Sequence, residues 1–205
     1  MYNSVMARGD RIIAVSDQLA ELISHRYGIS WGRINVVPLS IDLQRFDPET
    51  ISEERVDSIR RAFGVEPGAK LILVTGRLLR RKGHHLVVQA VHRLKQMGLK
   101  DFVCVFAGED HGKSRYTGEL WDLVLATKTA DVVRMTGPVD DLPAAYAAAS
   151  VVVSAATQDE GLQRTILEAQ AMARPVIVSD LGAGPEVVLA PPSVSEDRMT
   201  GLRFS

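Results

Sequence analysis

Short apolar runs alternate along this chain with stretches of helical period, and that alternation predicts an open parallel sheet. The runs fall at 12–15, 34–37, 71–75, 102–107, 132–135, 151–154 and 176–179. Between them apolar residues return at spacings of three and four, as at Leu86, Val87, Ala90, Val91, Leu94 and Met97. This pattern predicts helices over about 17–27, 52–63, 83–97, 114–127, 141–149, 161–173 and 184–189. Strand–helix alternation with apolar strands gives an α/β fold class, a parallel sheet with helices on both faces. Two helix starts are marked chemically: Asp141 is suited to cap a first turn containing Pro143, and Gly184 stands before Pro185 at a first helical position. There is no internal repeat and no low-complexity segment.

The ends of the chain read as cut. Residues 1–10 carry no period, and 200–205 stop where a further element begins. The segment 38–48, bounded by Pro38 and Pro48, reads as a linker-like turn between a small first unit and the main domain.

Charge narrows the function. The 205 residues hold 24 Lys and Arg against 25 Asp and Glu, a net charge of -1, so no broad basic surface attracts nucleic acid. Basic chemistry must be local. The single cysteine, Cys104, lies inside the apolar run 102–107 and is expected as a buried thiol. Five scattered histidines and that cysteine offer no zinc spacing, and no Gly-x-Ser-x-Gly nucleophile turn is present. The absence of a signal peptide or a bilayer-length apolar stretch points to the cytoplasm.

The local basic chemistry sits in Thr75-Gly76-Arg77-Leu78-Leu79-Arg80-Arg81-Lys82-Gly83, between a strand and a helix. In open parallel sheets ligands collect outside the carboxyl ends of strands, where helix N-terminal amides favour anions. A guanidinium fork at Arg77 and a compact ammonium at Lys82 suit a diphosphate; a solvated basic turn is the alternative. Further on, Glu160 and Glu168 stand eight positions apart, the first before a helix and the second about two turns into it. At about 1.5 Å per residue one sugar nucleotide spans that distance, and carboxylates accept from vicinal hydroxyls. The alternative for Glu168 is an i,i+4 ion pair with Arg164. Gly161 at the helix start would leave backbone amides for a hydroxyl or phosphate oxygen. The loop 108–112, with His111, occupies a ligand-loop position but also reads as a plain turn, while His84 and His85 are expected exposed or packed at a helix start.

Gly76-Arg77…Lys82-Gly83, the Glu160/Glu168 pair, the run from Ala169 to Ile177 and Gly182-Ala183-Gly184-Pro185-Glu186 together resemble the group 1 family of glycosyltransferases. The resemblance runs from about Ile12 to the C-terminus and includes Ala14-Val15-Ser16 and Ile41-Asp42…Phe46. It implies the Rossmann-like, donor-binding C-terminal half of a GT-B architecture. Residues 1–30 would be the tail of the acceptor domain with its linker, and 31–205 a nucleotide-sugar-binding domain truncated at its C-terminus.

The resemblance implies transfer of a sugar from a nucleotide-diphosphate donor, with retention and no required cofactor or metal. Arg77 and Lys82 match diphosphate ligands and, with Glu160, the catalytic group. Glu168 matches the ribose ligand, Gly76 the phosphate turn, Gly137 and Val139 the region beside the base. Glu160, Gly161, Leu162 and Gln163 match the donor-sugar segment. The family has Phe-Gly where this chain has Leu162-Gln163, which changes backbone access to the sugar. It has Asn-Gly or Arg-Gly where this chain has Leu39-Ser40, and commonly glycine where it has Arg174. The implied partners are a nucleotide sugar and, through the missing half, a glycan or lipid-linked acceptor, but not nucleic acid. The run 169–172 fits bacterial enzymes of polysaccharide or glycoconjugate biosynthesis, cytoplasmic or at the inner membrane face, with peripheral membrane contact by the full-length protein. Two other classes compete: a non-catalytic nucleotide-binding module, favoured by Gln163, and a sugar-nucleotide epimerase or phosphorylase of the same fold. For a phosphorylase no cofactor lysine is identifiable.

Overall fold

The computed structural model describes residues 8–110, 115–159 and 161–205. Two strands open the chain, β1 (Ile12–Ala14) and β2 (Ile34–Val36), joined by helix α1 (Asp17–Tyr27). They pair in parallel with Ile12 opposite Ile34, and Ile12, Ala14, Ala20 and Ile34 form a small core of their own. This pairing carries the first unit past residue 30, the expected division, as far as Val36. Ser16 starts α1 by accepting from the Leu19 amide, and Gly28, at φ 64°, ends it.

The segment 37–47 runs between the two-stranded and the six-stranded sheet and is fastened to the core of the second. Asp42 accepts from the amides of Gln44 and Arg45, and Phe46 inserts into the main core against Tyr146, with ring centroids 6.0 Å apart. A second fastening joins the units: the Glu186 carboxylate accepts from the Asp17 and Gln18 amides at 3.0 and 2.8 Å. The open amides of α1's first turn, at the positive end of its dipole, favour an anion there.

The main domain alternates α2 (Glu53–Ala62), β3 (Lys70–Thr75), α3 (His84–Gln96), β4 (Phe102–Ala107), α4 (Arg115–Ala126), β5 (Val133–Gly137), α5 (Leu142–Ala148), β6 (Val151–Ser154), α6 (Arg164–Ala171), β7 (Val176–Ser179), α7 (Gly184–Val187) and β8 (Gly201–Phe204). All six of its strands run parallel, in the order β5-β4-β3-β6-β7-β8. The fold is the expected parallel sheet with helices on both faces. Leu71, Leu73, Val103 and Val105 point to the face covered by α5 and α6, through Ala145, Tyr146, Ile166 and Ala169. Their neighbours Val74, Cys104 and Phe106 point to the other face, under Val88 and Val91 of α3 and Leu120 and Val124 of α4. Successive residues of a strand face opposite ways, so two buried faces require the uninterrupted apolar runs seen in the sequence. Cys104 is wholly buried, as expected, and burial pushes its thiol pKa up.

Asp141 caps α5 by accepting from the Ala144 amide, with Pro143 in the first turn. Its carboxylate also receives a two-pronged bond from Arg55, Nε at 2.9 Å and Nη2 at 2.8 Å, which ties α2 to α5. Two helices are shorter than their periodicity predicts. The helix expected over 161–173 runs only from Arg164 to Ala171, and the one expected over 184–189 is a single turn. β8, where the sequence shows only the beginning of an element, joins the sheet beside β7. No helix among the described residues is long and apolar enough to cross a membrane.

Candidate functional site

β4 and β5 lie on one side of β3 and β6 on the other, so the order of strands reverses between β3 and β6. The loops that leave these strands diverge there and open a crevice at their carboxyl ends. Two hydrogen bonds and two close backbone approaches set its shape. The Leu78 amide donates to the Glu109 carbonyl at 3.0 Å, joining the loops after β3 and β4. The Thr157 amide donates to the Arg81 carbonyl at 2.8 Å, joining those after β3 and β6. Gly108 and Gly83 allow the backbones to touch: a Cβ at 108 would lie 1.8 Å from the Gly76 oxygen, and one at 83 would lie 1.6 Å from the Ala155 oxygen.

The basic turn falls at this crevice. Gly76, at φ 124°, takes the chain out of β3 and Arg77 follows it, exposed; a short 3-10 turn at Arg80–Lys82 leads through Gly83 into α3. The cations are not equivalent. Arg80 is bound to Glu119 of α4 and lies 5.2 Å from the centre of the Tyr116 ring, which engages it with that helix. The Lys82 chain lies over Gly76, its Cε 4.0 Å from where a Cβ would stand. Lys82 lines a cleft of about 530 Å³ with Val15, Arg81, Asp159, Gly161, Leu162, Gln163, Arg164 and Thr165. A larger cavity of about 850 Å³ lies at the opposite ends of β6, β7 and β8, lined by their first residues Val151, Val176 and Gly201. That cavity is at the wrong end of a parallel sheet for an anion, so the smaller cleft is the candidate site.

The sequence-predicted residues divide among several positions. Lys82, Gly161, Leu162 and Gln163 line the one cleft, while Gly76 and Arg77, which directly follow β3, are not among its lining residues. Gly137, at φ 74°, ends β5, and Val139 packs half-buried against the core beside it, two strands away from β3. Glu160 lies outside the described residues, as does His111.

Glu168 requires a correction. It is the fifth residue of α6, about one turn in rather than two, because the helix begins at Arg164. Gly161 therefore precedes the helix by three residues, and the unblocked start of α6 is at Gln163, where no side chain caps it. Glu168 is 6% exposed, and its Oε2 accepts from the Tyr146 hydroxyl at 3.0 Å. The expected alternative partner is also present, with Arg164 Nη2 3.6 Å from Oε1. Gln163 is buried too, its Oε1 accepting from the Ser154 hydroxyl. Its backbone, at φ -87° and ψ 99°, is one that any residue adopts, so this departure from glycine causes no strain and alters only the cleft wall.

His84 was expected exposed or packed at a helix start, and it is packed. It is wholly buried against the Phe106 ring, 5.1 Å centre to centre, and burial lowers its pKa to about 4. His85 beside it is half-buried next to the Tyr116 hydroxyl, and burial followed by the nearby Arg80 charge lowers its pKa also. No cluster of metal-ligating side chains occurs among the described residues.

The model of the family described as Glycosyl transferases group 1 matches residues 69–197, more than half of the chain, and that of Glycosyltransferase Family 4 matches residues 1–45. The chain belongs to the group 1 glycosyltransferases. It is 35% identical over 176 residues to a D-inositol 3-phosphate glycosyltransferase of Pseudarthrobacter chlorophenolicus, an alignment that covers 84% of this chain and 40% of that protein. A glycosyltransferase from Rickettsia africae superposes with a TM-score of 0.84 at 26% identity, over all of this chain and 51% of the other. HepE of Anabaena, solved with UDP and glucose, superposes equally well, at 0.84, over 99% of this chain and 51% of its own. At 20% identity that likeness establishes the fold alone. The group 1 chain described here thus has the Rossmann-like half of a GT-B architecture and spans about 40 to 51% of these relatives' lengths.

Proposed function

We propose that this chain is the donor-binding half of an enzyme that transfers a sugar from a nucleotide-diphosphate donor, with retention, to a glycan or lipid-linked acceptor. The observation that carries the proposal is Lys82 over Gly76, with Arg77 beside it, at the carboxyl end of β3 where the sheet reverses. In this reading Arg77 and Lys82 hold the diphosphate and offset charge that grows on it as the sugar leaves. Glu168 accepts from the ribose hydroxyls, the segment 160–163 with Glu160 meets the sugar, and Gly137 with Val139 borders the base. The ligands in the HepE structures make a UDP-linked sugar the first donor to test, and UDP the first nucleoside diphosphate.

The first unit, up to the turn at 37–47, would be the tail of the acceptor domain, and the full-length protein a cytoplasmic bacterial enzyme working at the inner membrane face in polysaccharide or glycoconjugate synthesis. An assay of transfer from labelled sugar nucleotides tests the division of labour. The 205-residue chain should bind a nucleoside diphosphate yet transfer nothing, and robust transfer by it would overturn the claim that a second half supplies the acceptor site.

A further inference from the structure

Tyr146 of α5 is wholly buried, yet it carries a hydroxyl, and a buried hydroxyl needs partners. It has two. The oxygen lies 3.0 Å from Glu168 Oε2 and 3.1 Å from Thr75 Oγ1. A carboxylate only accepts and tyrosine has one hydroxyl proton, so Tyr146 donates to Glu168 and the Thr75 hydroxyl donates to Tyr146. A directed chain therefore runs from the last residue of β3, immediately ahead of Gly76-Arg77, through α5 to the carboxylate on α6. Among the described residues the other carboxylate oxygen, Oε1, has only the Arg164 guanidinium at 3.6 Å, too long for a hydrogen bond, and keeps acceptor capacity.

We infer that Tyr146 is a positioning residue for nucleotide recognition: by fixing Oε2 it turns Oε1 of Glu168 toward the vicinal hydroxyls of a ribose, and Thr75 sets that orientation from the phosphate turn. The inference rests on the ribose role of Glu168. It explains how one buried carboxylate discriminates between ribose and deoxyribose: a carboxylate free to rotate would satisfy either oxygen with whatever donor is near. It also accounts for a tyrosine on a helix whose other buried residues, Pro143, Ala144, Ala145 and Ala148, are small.

The test is calorimetric titration of the chain with UDP and GDP and with their 2′-deoxy counterparts. The wild type should prefer the ribonucleotide by roughly tenfold, the effect of one charge-assisted hydrogen bond. Tyr146→Phe keeps the ring and removes the hydroxyl, and it should reduce that preference to about threefold or less, chiefly by weakening the ribonucleotide. Adding Glu168→Gln to Tyr146→Phe should reduce it little further. Thr75→Val should shift the preference the same way and Thr75→Ser should restore it, and these variants carry the test if Tyr146→Phe does not fold. A preference unchanged in the folded variants would overturn the inference and make the chain of hydroxyls merely structural. A wild type that does not distinguish ribose from deoxyribose would overturn the ribose role of Glu168 itself, and the inference with it.

Discussion

Replacing Gly108 with alanine adds one methyl group where two backbones touch, and its effect follows from distances. The new Cβ would stand 1.8 Å from the Gly76 carbonyl oxygen and 2.5 Å from its carbon. Nonbonded heavy atoms settle at about 3.5–4.0 Å, so the ends of β3 and β4 must separate by on the order of 1.5 Å. Both obstructing atoms are backbone, and no side chain can swing aside. The flanking bonds from the Gly76 amide to Ala107 and from the Leu78 amide to Glu109, each 3.0 Å, resist that movement. Overpacking of this kind costs about 1–3 kcal/mol. The displaced turn bears Arg77, so diphosphate affinity should fall with stability while nucleoside affinity changes less. Gly118 supplies the control: it lies within α4 with nothing within 4 Å of a Cβ, and Gly118→Ala should stabilise by about 0.5–1 kcal/mol. Urea denaturation of both variants reads the two signs. A Gly108→Ala protein as stable as wild type, or a shift of the same sign in both, would refute the argument that the loops meet at this glycine.

Three further outcomes follow from the buried and paired groups. Burial lowers the pKa of His84 to about 4, so between that value and its ordinary 6.5 the unfolded chain binds the extra proton and stability must fall as pH falls. The loss should reach about 3 kcal/mol by pH 4, and a pH series of denaturation midpoints on His84→Leu should be flatter over that window. Asp141 is held below the usual carboxylate range by its bond from Arg55, so its stabilisation is present above about pH 4 and is lost as pH falls through its folded pKa. Asp141→Ala removes cap and pair together and should cost at least about 1 kcal/mol, whereas Asp141→Asn keeps a capping oxygen and should cost less, as chemical denaturation at pH 7 would show. The Arg164–Glu168 pair, with Arg164 largely exposed, should show a coupling below about 1 kcal/mol in a double-mutant cycle, and a larger value would mean that Glu168 serves the helix rather than a ligand.

Much of the sheet could be read from the sequence because a strand buried on both faces must be apolar throughout, as 71–75 and 102–107 are. That Gly76, Arg77 and Lys82 stand just beyond the carboxyl end of β3 was legible for a related reason, since they follow such an apolar run directly. The start of α6 was not legible. Periodicity extends back to Leu162, but Gln163 is held in an extended conformation with its side chain on Ser154, a partner nine positions away on another element. β8 was only hinted at, since an edge strand with alternate exposure leaves a weak pattern in four residues. Helical period places Glu168 on α6, yet nothing local indicates that Tyr146 and Thr75 meet it, because that depends on how α5 sits between β3 and α6. The clasp of Glu186 on α1, between residues 168 and 169 positions apart, has no local trace either.

The central claim is that the turn after β3 binds a diphosphate, and calorimetric titration of the chain with UDP, GDP and ADP beside the matching nucleosides tests it most directly. At least one diphosphate should bind with a Kd between about 1 μM and 1 mM, and its nucleoside should bind more weakly. Arg77→Ala and Lys82→Ala should each weaken the diphosphate by roughly 10- to 100-fold and leave the nucleoside nearly unchanged. Failure of every nucleoside diphosphate to bind, or equal losses for diphosphate and nucleoside in both variants, would contradict the claim and leave the basic turn as a structural feature of the fold.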